Sequence, residues 1–234
     1  MRKGVIAGMH KQSLTFLALI GLSIISMQSN ASSAVIFSTY NGNDSGTSSP
    51  IHNSSGKGIA FTMPATLQPG GTTSYTLDSV SLRLSGSILS SQIVLSLYTN
   101  DGANTPGTLI SSFTSSPFTL TSTVTSYTFT TSSAVTLAAG TTYWVTMYTT
   151  SSNTNGLSWK TSNPQPSSYS TVEVSLAGTI FGNNTSPSGW TNTSSTVYNS
   201  LTVNATAVPE PTGVGLALLG VAGLVAHRRL RQRQ

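Results

Sequence analysis

Between residues 35 and 207 only five side chains are carboxylates or imidazoles: Asp44, His52, Asp78, Asp101 and Glu173. Two of the carboxylates could serve as acid and base in glycoside hydrolysis, and the histidine could activate a serine. Three of the carboxylates, however, lie in or beside turn sequences, and no nucleophile-elbow motif accompanies any serine. We therefore predict no catalytic residue and no enzyme activity, with a weak extracellular hydrolase as the second alternative.

The chain contains few side chains that could bind a metal ion. The chain contains no cysteine, which excludes thiolate sites and disulfides. The segment 41–46 carries oxygen side chains at alternate positions, as in half of a calcium loop, but it lacks the terminal bidentate carboxylate. A turn is the favoured interpretation there, and calcium is the alternative. We predict no metal site and no cofactor.

Three tryptophans could offer flat faces to sugar rings, because an aromatic side chain combines a large apolar face with a polar handle. Trp144 lies in a predicted strand and is expected in the core. Trp159 and Trp190 lie beside loop sequences and are the candidates for glycan contact, although packing is the favoured role for both.

The elements that position these residues are strands. Apolar and polar residues alternate over Ser74–Leu84, with a slip at Asp78–Ser79, and alternation of this kind predicts a half-buried strand. Six further segments are predicted strands: 93–98, 125–130, 142–148, 157–160, 169–176 and 198–203. Turn sequences separate them, notably Thr99–Gly107. The chain is therefore predicted to be all-β, with a single jelly-roll-like β-sandwich over 35–207.

The composition of residues 35–207 limits the classes of partner that the chain is expected to bind. Serine and threonine supply 69 of its 173 residues, which favours strands and a neutral hydroxyl surface. This stretch contains three basic and four acidic residues and so has a net charge of −1, although the net charge of the whole chain is +5. A surface without a basic face does not bind phosphates, so we predict no nucleic-acid partner.

The end of the chain combines a proline frame, an apolar run and a basic terminus. Pro209 and Pro211 restrict the backbone around Glu210, so this tripeptide is expected to be extended and accessible to a protease or transpeptidase. The run 212–226 predicts a transmembrane helix, but the 14 residues from 213 to 226 fall short of the roughly 20 that an ordinary span needs. Four arginines would stay on the cytoplasmic side: Arg228, Arg229, Arg231 and Arg233.

The start of the chain has the form of a signal peptide over 1–34. Basic residues precede an apolar segment, 14–25, and small residues follow it. Two positions fit the pattern for cleavage by signal peptidase, one after Ala31 and the other after Ala34. The chain is therefore expected to be exported.

The segment Val208–Gln234, with its Pro-Glu-Pro, closely resembles the PEP-CTERM sorting signal of envelope proteins in Gram-negative bacteria that make exopolysaccharide. The resemblance implies recognition by an exosortase and cleavage near Pro-Glu-Pro. The protein would be anchored transiently in the inner membrane and then released to the cell surface or extracellular matrix.

A second resemblance covers residues 61–148, about half of the stretch between the two signals. The sequences Val94–Tyr98, Pro106–Leu109, Tyr127–Phe129 and Leu137–Trp144 look like the choice-of-anchor R domain, an extracellular β-rich family that brings no catalytic residues. Together the resemblances imply a non-enzymatic surface or matrix protein associated with exopolysaccharide in a biofilm. A carbohydrate-binding module is the first alternative.

Overall fold

A computed structural model describes residues 32–40, 42–65, 72–162, 175–182, 189–193 and 198–209. Those residues form strands and one 3-10 turn, Ser90–Gln92, and they contain no α-helix, so the predicted all-β class is confirmed. The strands are β1 (Ser33–Ser38), β2 (Asp44–Ile51), β3 (Gly56–Thr62), β4 (Thr72–Gly86), β5 (Ile93–Asn100), β6 (Pro106–Thr114), β7 (Thr125–Thr131), β8 (Thr136–Ala138), β9 (Thr142–Thr149), β10 (Leu157–Ser162), β11 (Ser175–Gly182), β12 (Trp190–Thr193) and β13 (Leu201–Pro209).

The strands follow one continuous antiparallel order, β1-β13-β4-β7-β6-β5-β9-β3-β11-β12. The link between β7 and β6 is the weakest, because only the pairs Phe113–Thr131 and Thr114–Thr130 join them. Strand β4 is the longest and also pairs with β8 and β10, while β2 pairs with β10. The order therefore has two halves, one organised by β4 and the other by the β5-β9-β3 ladder.

One hydrophobic core is shared by both halves. Leu82 of β4, Leu97 of β5, Val145 of β9 and Phe61 of β3 are all fully buried members of the same cluster. Burial of such side chains stabilises the fold by roughly 1.5–3 kcal/mol each. The alternation that predicted β4 and β7 thus reflects one face of each strand turned to this core. Strands β5 and β9 are buried on both faces, because Tyr98 and Trp144 pack in a second cluster.

The slip predicted in β4 is a β-bulge. Asn204 of β13 pairs with Ser79 and the next residue, Ala205, pairs with Leu77, so Asp78 is the extra residue. The bulge keeps Leu77 and Val80 on the buried side although they are three positions apart. Asp78 also accepts a hydrogen bond from the hydroxyl of Thr206 at 2.8 Å.

The last strand runs between the first strand and β4. In β13 the buried residues Leu201, Val203 and Ala205 alternate with half-buried ones. The strand is longer than the predicted 198–203, because residues 205–207 also pair with β4. Ser33 at the start of β1 pairs with Thr206, so the first and last strands of the chain lie side by side.

Buried polar groups fasten the start of β13. Thr39 donates its hydroxyl hydrogen to the Asn199 carbonyl at 2.6 Å and accepts the Leu201 amide at 2.8 Å. The Asn199 side chain donates to the Trp159 carbonyl at 2.8 Å, and the Trp159 indole donates to the Ser200 carbonyl at 2.9 Å. We call Thr39, Trp159, Asn199 and Ser200 the latch. It joins the end of β1, β10 and β13 through these hydrogen bonds, with Ser200 contributing its carbonyl. The buried Ser200 hydroxyl has no hydrogen-bond partner among the described residues.

Several strands escaped the sequence-based prediction. Strands β2 and β6 contain or begin with proline and glycine, and their segments had been taken for turns or left unassigned. The predicted strand 169–176 falls mostly outside the described residues, and β11 begins at Ser175. The segments 1–31 and 212–226, where a signal peptide and a transmembrane helix are predicted, also lie outside them. Among the residues that are described, no helix is long and apolar enough to cross a bilayer.

Removing the latch hydroxyl in Thr39→Val is expected to lower the free energy of unfolding by about 1–3 kcal/mol, because two buried backbone groups lose their partner. Urea denaturation of the full chain in detergent measures the change. The matched control is Thr128→Val, which removes an exposed hydroxyl bonded to Ser81 and should change stability by less than about 0.5 kcal/mol. Equal effects of the two changes would contradict the role of the latch.

Candidate functional site

The two tryptophans that the sequence offers for glycan contact are both buried, which agrees with the packing role that the sequence favours for them. Trp159 lies in β10 between β2 and β4, has no exposed surface and belongs to the latch. Trp190 is 7% exposed and clusters with Ala60, Tyr98 and Trp144. Neither indole presents a free face to a sugar ring.

Gly56 leaves the space into which the Trp190 indole packs. A Cβ atom on Gly56 would lie 2.7 Å from the Cη2 atom of Trp190, closer than such contacts allow. The indole therefore occupies space that only a residue without a side chain leaves open. Trp144 is fully buried, as predicted, and its indole donates to the Asn100 side chain at 3.0 Å.

The described titratable residues hold the structure together locally. His52 lies in a tight turn, where its Nδ1 is 2.9 Å from the Ser54 hydroxyl oxygen. Asp44 binds Arg83 through both carboxylate oxygens, and this hydrogen bond raises the pKa of Arg83. The carboxylate in the half calcium loop is thus already neutralised by a guanidinium. Within the described ranges no three metal-ligating side chains gather in one place, and Glu173 lies outside them.

Asp101 organises the turn between β5 and β6. Its carboxylate accepts the Ala103 amide at 2.8 Å, the Thr105 amide at 3.0 Å and the Thr105 hydroxyl. The hydroxyl bond is the main reason that the pKa of Asp101 is lowered. Gly102 and Asn104 adopt positive φ values of 88° and 61° here, a conformation these residue types accept most easily. Both oxygens are therefore occupied by the turn itself.

The described surface contains a groove of about 530 Å³. Its walls come from three separate places: the segment 89–93 with the 3-10 turn, the end of β6 with the following loop, and β7. Its lining residues are Leu89, Ser90, Ser91, Ile93, Phe113, Thr114, Ser115, Pro117, Phe118, Thr119 and Phe129. The sequence did not indicate this groove, because no motif links three segments so far apart in the chain.

The groove walls are fixed by hydrogen bonds and ring contacts. The Ser90 amide donates to the Phe118 carbonyl at 2.9 Å, and the Phe118 amide donates to the Ser90 hydroxyl at 3.1 Å. Phe118 stacks on Tyr127 with ring centroids 4.2 Å apart and meets Phe129 edge-on at 5.9 Å. Such aromatic pairs have preferred geometries, so the position of the Phe118 ring is constrained on two sides.

The sorting motif meets the described fold at one residue. Pro209 is the last residue of β13 and pairs with Thr72. Glu210, Pro211, Arg228, Arg229, Arg231 and Arg233 lie outside the described residues. The expected cleavage sequence therefore begins where the sheet ends.

No protein-family model matches the chain, and no curated protein matches it either.

The Asp101 turn gives a titration that can be measured residue by residue. Thr105→Val should raise the pKa of the Asp101 carboxyl toward its ordinary value, because the main bond to the ionised form is lost. In the native chain the lowered pKa stabilises the fold above the unfolded carboxyl pKa, and this contribution is lost as pH falls through the folded value. Carbon-detected NMR titration reads the carboxyl directly.

Thr108→Val, at an exposed position after the turn, is the control for that titration and should leave the Asp101 pKa where it is. An Asp101 pKa that is the same in native protein and in Thr105→Val would show that the hydroxyl does not hold the carboxylate.

Proposed function

We propose that this chain is an exported, non-enzymatic protein of the cell surface or extracellular matrix, sorted by an exosortase through a PEP-CTERM signal. The observation that carries the proposal is the position of the fold between the two signals. The sheet begins at Ser33, beside the candidate signal-peptidase sites, and ends at Pro209, the first residue of Pro-Glu-Pro. A compact unit over Ser32–Glu210 agrees with this division.

The proposed partners follow from the two signals. Signal peptidase removes the first segment, and the segment 212–226 holds the chain in the inner membrane of a Gram-negative bacterium while exosortase acts at Pro209–Pro211. The four arginines after residue 227 form the basic stop of that segment. The released protein associates with exopolysaccharide in the biofilm. The net charge of −1 over 35–207 supports a neutral matrix partner over nucleic acid.

We also propose that the fold is a jelly-roll-like β-sandwich with a choice-of-anchor R domain at its centre. The shared core supports two packed sheets, because side chains of β4 and of the β5-β9-β3 ladder meet in one cluster. The resembling stretch 61–148 contains β4 to β8 and nearly all of β9. Strands β1, β10 and β13 lie outside that stretch and complete the sheet around β4.

A non-enzymatic role is supported by what the described carboxylates bind. Asp44 pairs with Arg83, Asp78 accepts the Thr206 hydroxyl, and Asp101 closes its own turn. Each is engaged in a contact that orders the local backbone, at a different place in the sheet.

Alanine at all three positions Pro209, Glu210 and Pro211 tests the sorting proposal. The triple variant is expected to keep its C-terminal segment and to stay in the membrane fraction, because the processing enzyme loses its recognition sequence. Intact mass and cell fractionation measure both effects.

Thr212→Ala, directly after the motif, is the control for the triple variant and should be processed like the native chain. Unchanged mature mass and unchanged surface delivery in the triple variant would contradict sorting through Pro-Glu-Pro.

The N-terminal cleavage position follows from the start of β1. Cleavage after Ala34 would remove Ser33 and Ala34, which pair with Thr206 and Ala205 of β13. Cleavage after Ala31 leaves β1 complete. We therefore expect the exported protein to begin at Ser32, as read by N-terminal sequencing, and a start at Val35 would contradict this prediction.

A further inference from the structure

The groove beside Phe118 has no charged residue in its lining. Five lining residues carry hydroxyls and six are apolar, and three of the apolar ones are phenylalanines. The ion pair between Asp44 and Arg83 involves no lining residue. A volume of about 530 Å³ is within the roughly 300–1,000 Å³ that small-molecule sites occupy.

The groove offers unused hydrogen-bonding groups. Within the described part of the chain, the hydroxyls of Ser91, Ser115 and Thr119 make no hydrogen bond to protein. Each hydroxyl is both a donor and an acceptor, and Ser91 and Thr119 are exposed. A ligand that has many hydroxyls of its own can pair with all three.

Apolar surface lies next to these hydroxyls. Phe113 and Phe129 are 8% and 3% exposed and form the inner side, while Phe118 is half-buried and Leu89 is 52% exposed at the rim. A sugar ring has a C–H face that packs on such surface and an edge of hydroxyls that pairs with Ser and Thr. A charged ligand would lose hydration here without gaining an opposite charge. A purely apolar ligand would leave the groove hydroxyls unpaired.

We propose that this groove binds a segment of neutral polysaccharide, with the C–H face of a sugar ring against Phe118 and Leu89 and its hydroxyls on Ser91, Ser115 and Thr119. The backbone and side-chain bonds between Ser90 and Phe118 hold the two walls in place before the ligand arrives, which reduces the entropy lost on binding. The proposal rests on the proposed function for the source of the glycan, the surrounding matrix. The groove provides a binding site for a glycan, which the buried tryptophans do not provide.

Binding can be measured on the full purified chain in detergent, independently of sorting. Isothermal titration calorimetry measures binding of three probes. Two are the neutral glucans dextran and laminarin, and the third is the anionic polymer alginate. We expect measurable affinity for at least one glucan and none for alginate. Because this assay involves no export or cleavage, its failure and a failure of the sorting proposal are separate results.

Two neighbouring serines give a matched pair of variants. Ser115→Asp puts a charge into the groove and should weaken glucan binding at least tenfold, whereas Ser116→Asp adds the same charge at an exposed position outside the lining and should leave binding unchanged. Leu89→Asp, at the exposed rim, should weaken it as Ser115→Asp does. Thermal unfolding of each variant shows whether the fold is retained.

The proposal is overturned by any of three results: no affinity for either glucan, a preference for alginate, or equal loss of binding in Ser115→Asp and Ser116→Asp. Binding of a hydrophobic dye in the groove without binding of either glucan would assign it to apolar ligands instead.

Discussion

The structure depends on the pairing of its last strand with its first strand and with β4. Ser33 pairs with Thr206 and Val80 pairs with Val203, so the sheet remains incomplete until the chain up to Pro209 is available. Contacts between residues so distant in sequence form late and slowly. In the proposed export route, the C-terminal membrane segment would hold the chain while this strand enters the sheet. The same pairing places Ser33, near the start of the described fold, beside Thr206, near its end.

The buried polar groups and the neutral surface have different roles in this account. The latch makes its hydrogen bonds inside the sheet through the side chains of Thr39, Trp159 and Asn199 and the Ser200 carbonyl, where a lost partner is costly. The groove leaves the hydroxyls of Ser91, Ser115 and Thr119 without a protein partner and the Phe118 ring half-buried, and no charged residue lines it. The aromatic residues are divided in the same way: the tryptophans fill the interior, and Phe118 faces the groove. A chain rich in hydroxyls and poor in charge can thus be well ordered inside and still offer a surface suited to neutral glycans.

The sequence predicted the elements whose burial alternates simply. The pattern around Asp78 even located the bulge in β4, because an extra residue shifts the period of the buried face. Strands β2 and β6 were missed because Pro50, Pro106 and Gly107 are typical of turns, and only their neighbours in the sheet make them strands. The strand around Trp159 was predicted correctly, and a glycan role was considered for it only because Gly156 precedes the strand as in an exposed loop. The hydrogen-bond partner of Trp159, Ser200, is 41 residues away, which a local pattern does not reveal. The groove was missed for the same reason.

Native-state hydrogen exchange on the full chain tests the central claim that β13 completes the sheet. We predict that the amides of Leu201, Val203 and Ala205 exchange as slowly as those of β4, and that the last protected amide is that of Val208, before the sorting motif. Rapid exchange of the three β13 amides while β4 remains protected would contradict it, since the last strand would then be an appendage to a domain that is complete without it.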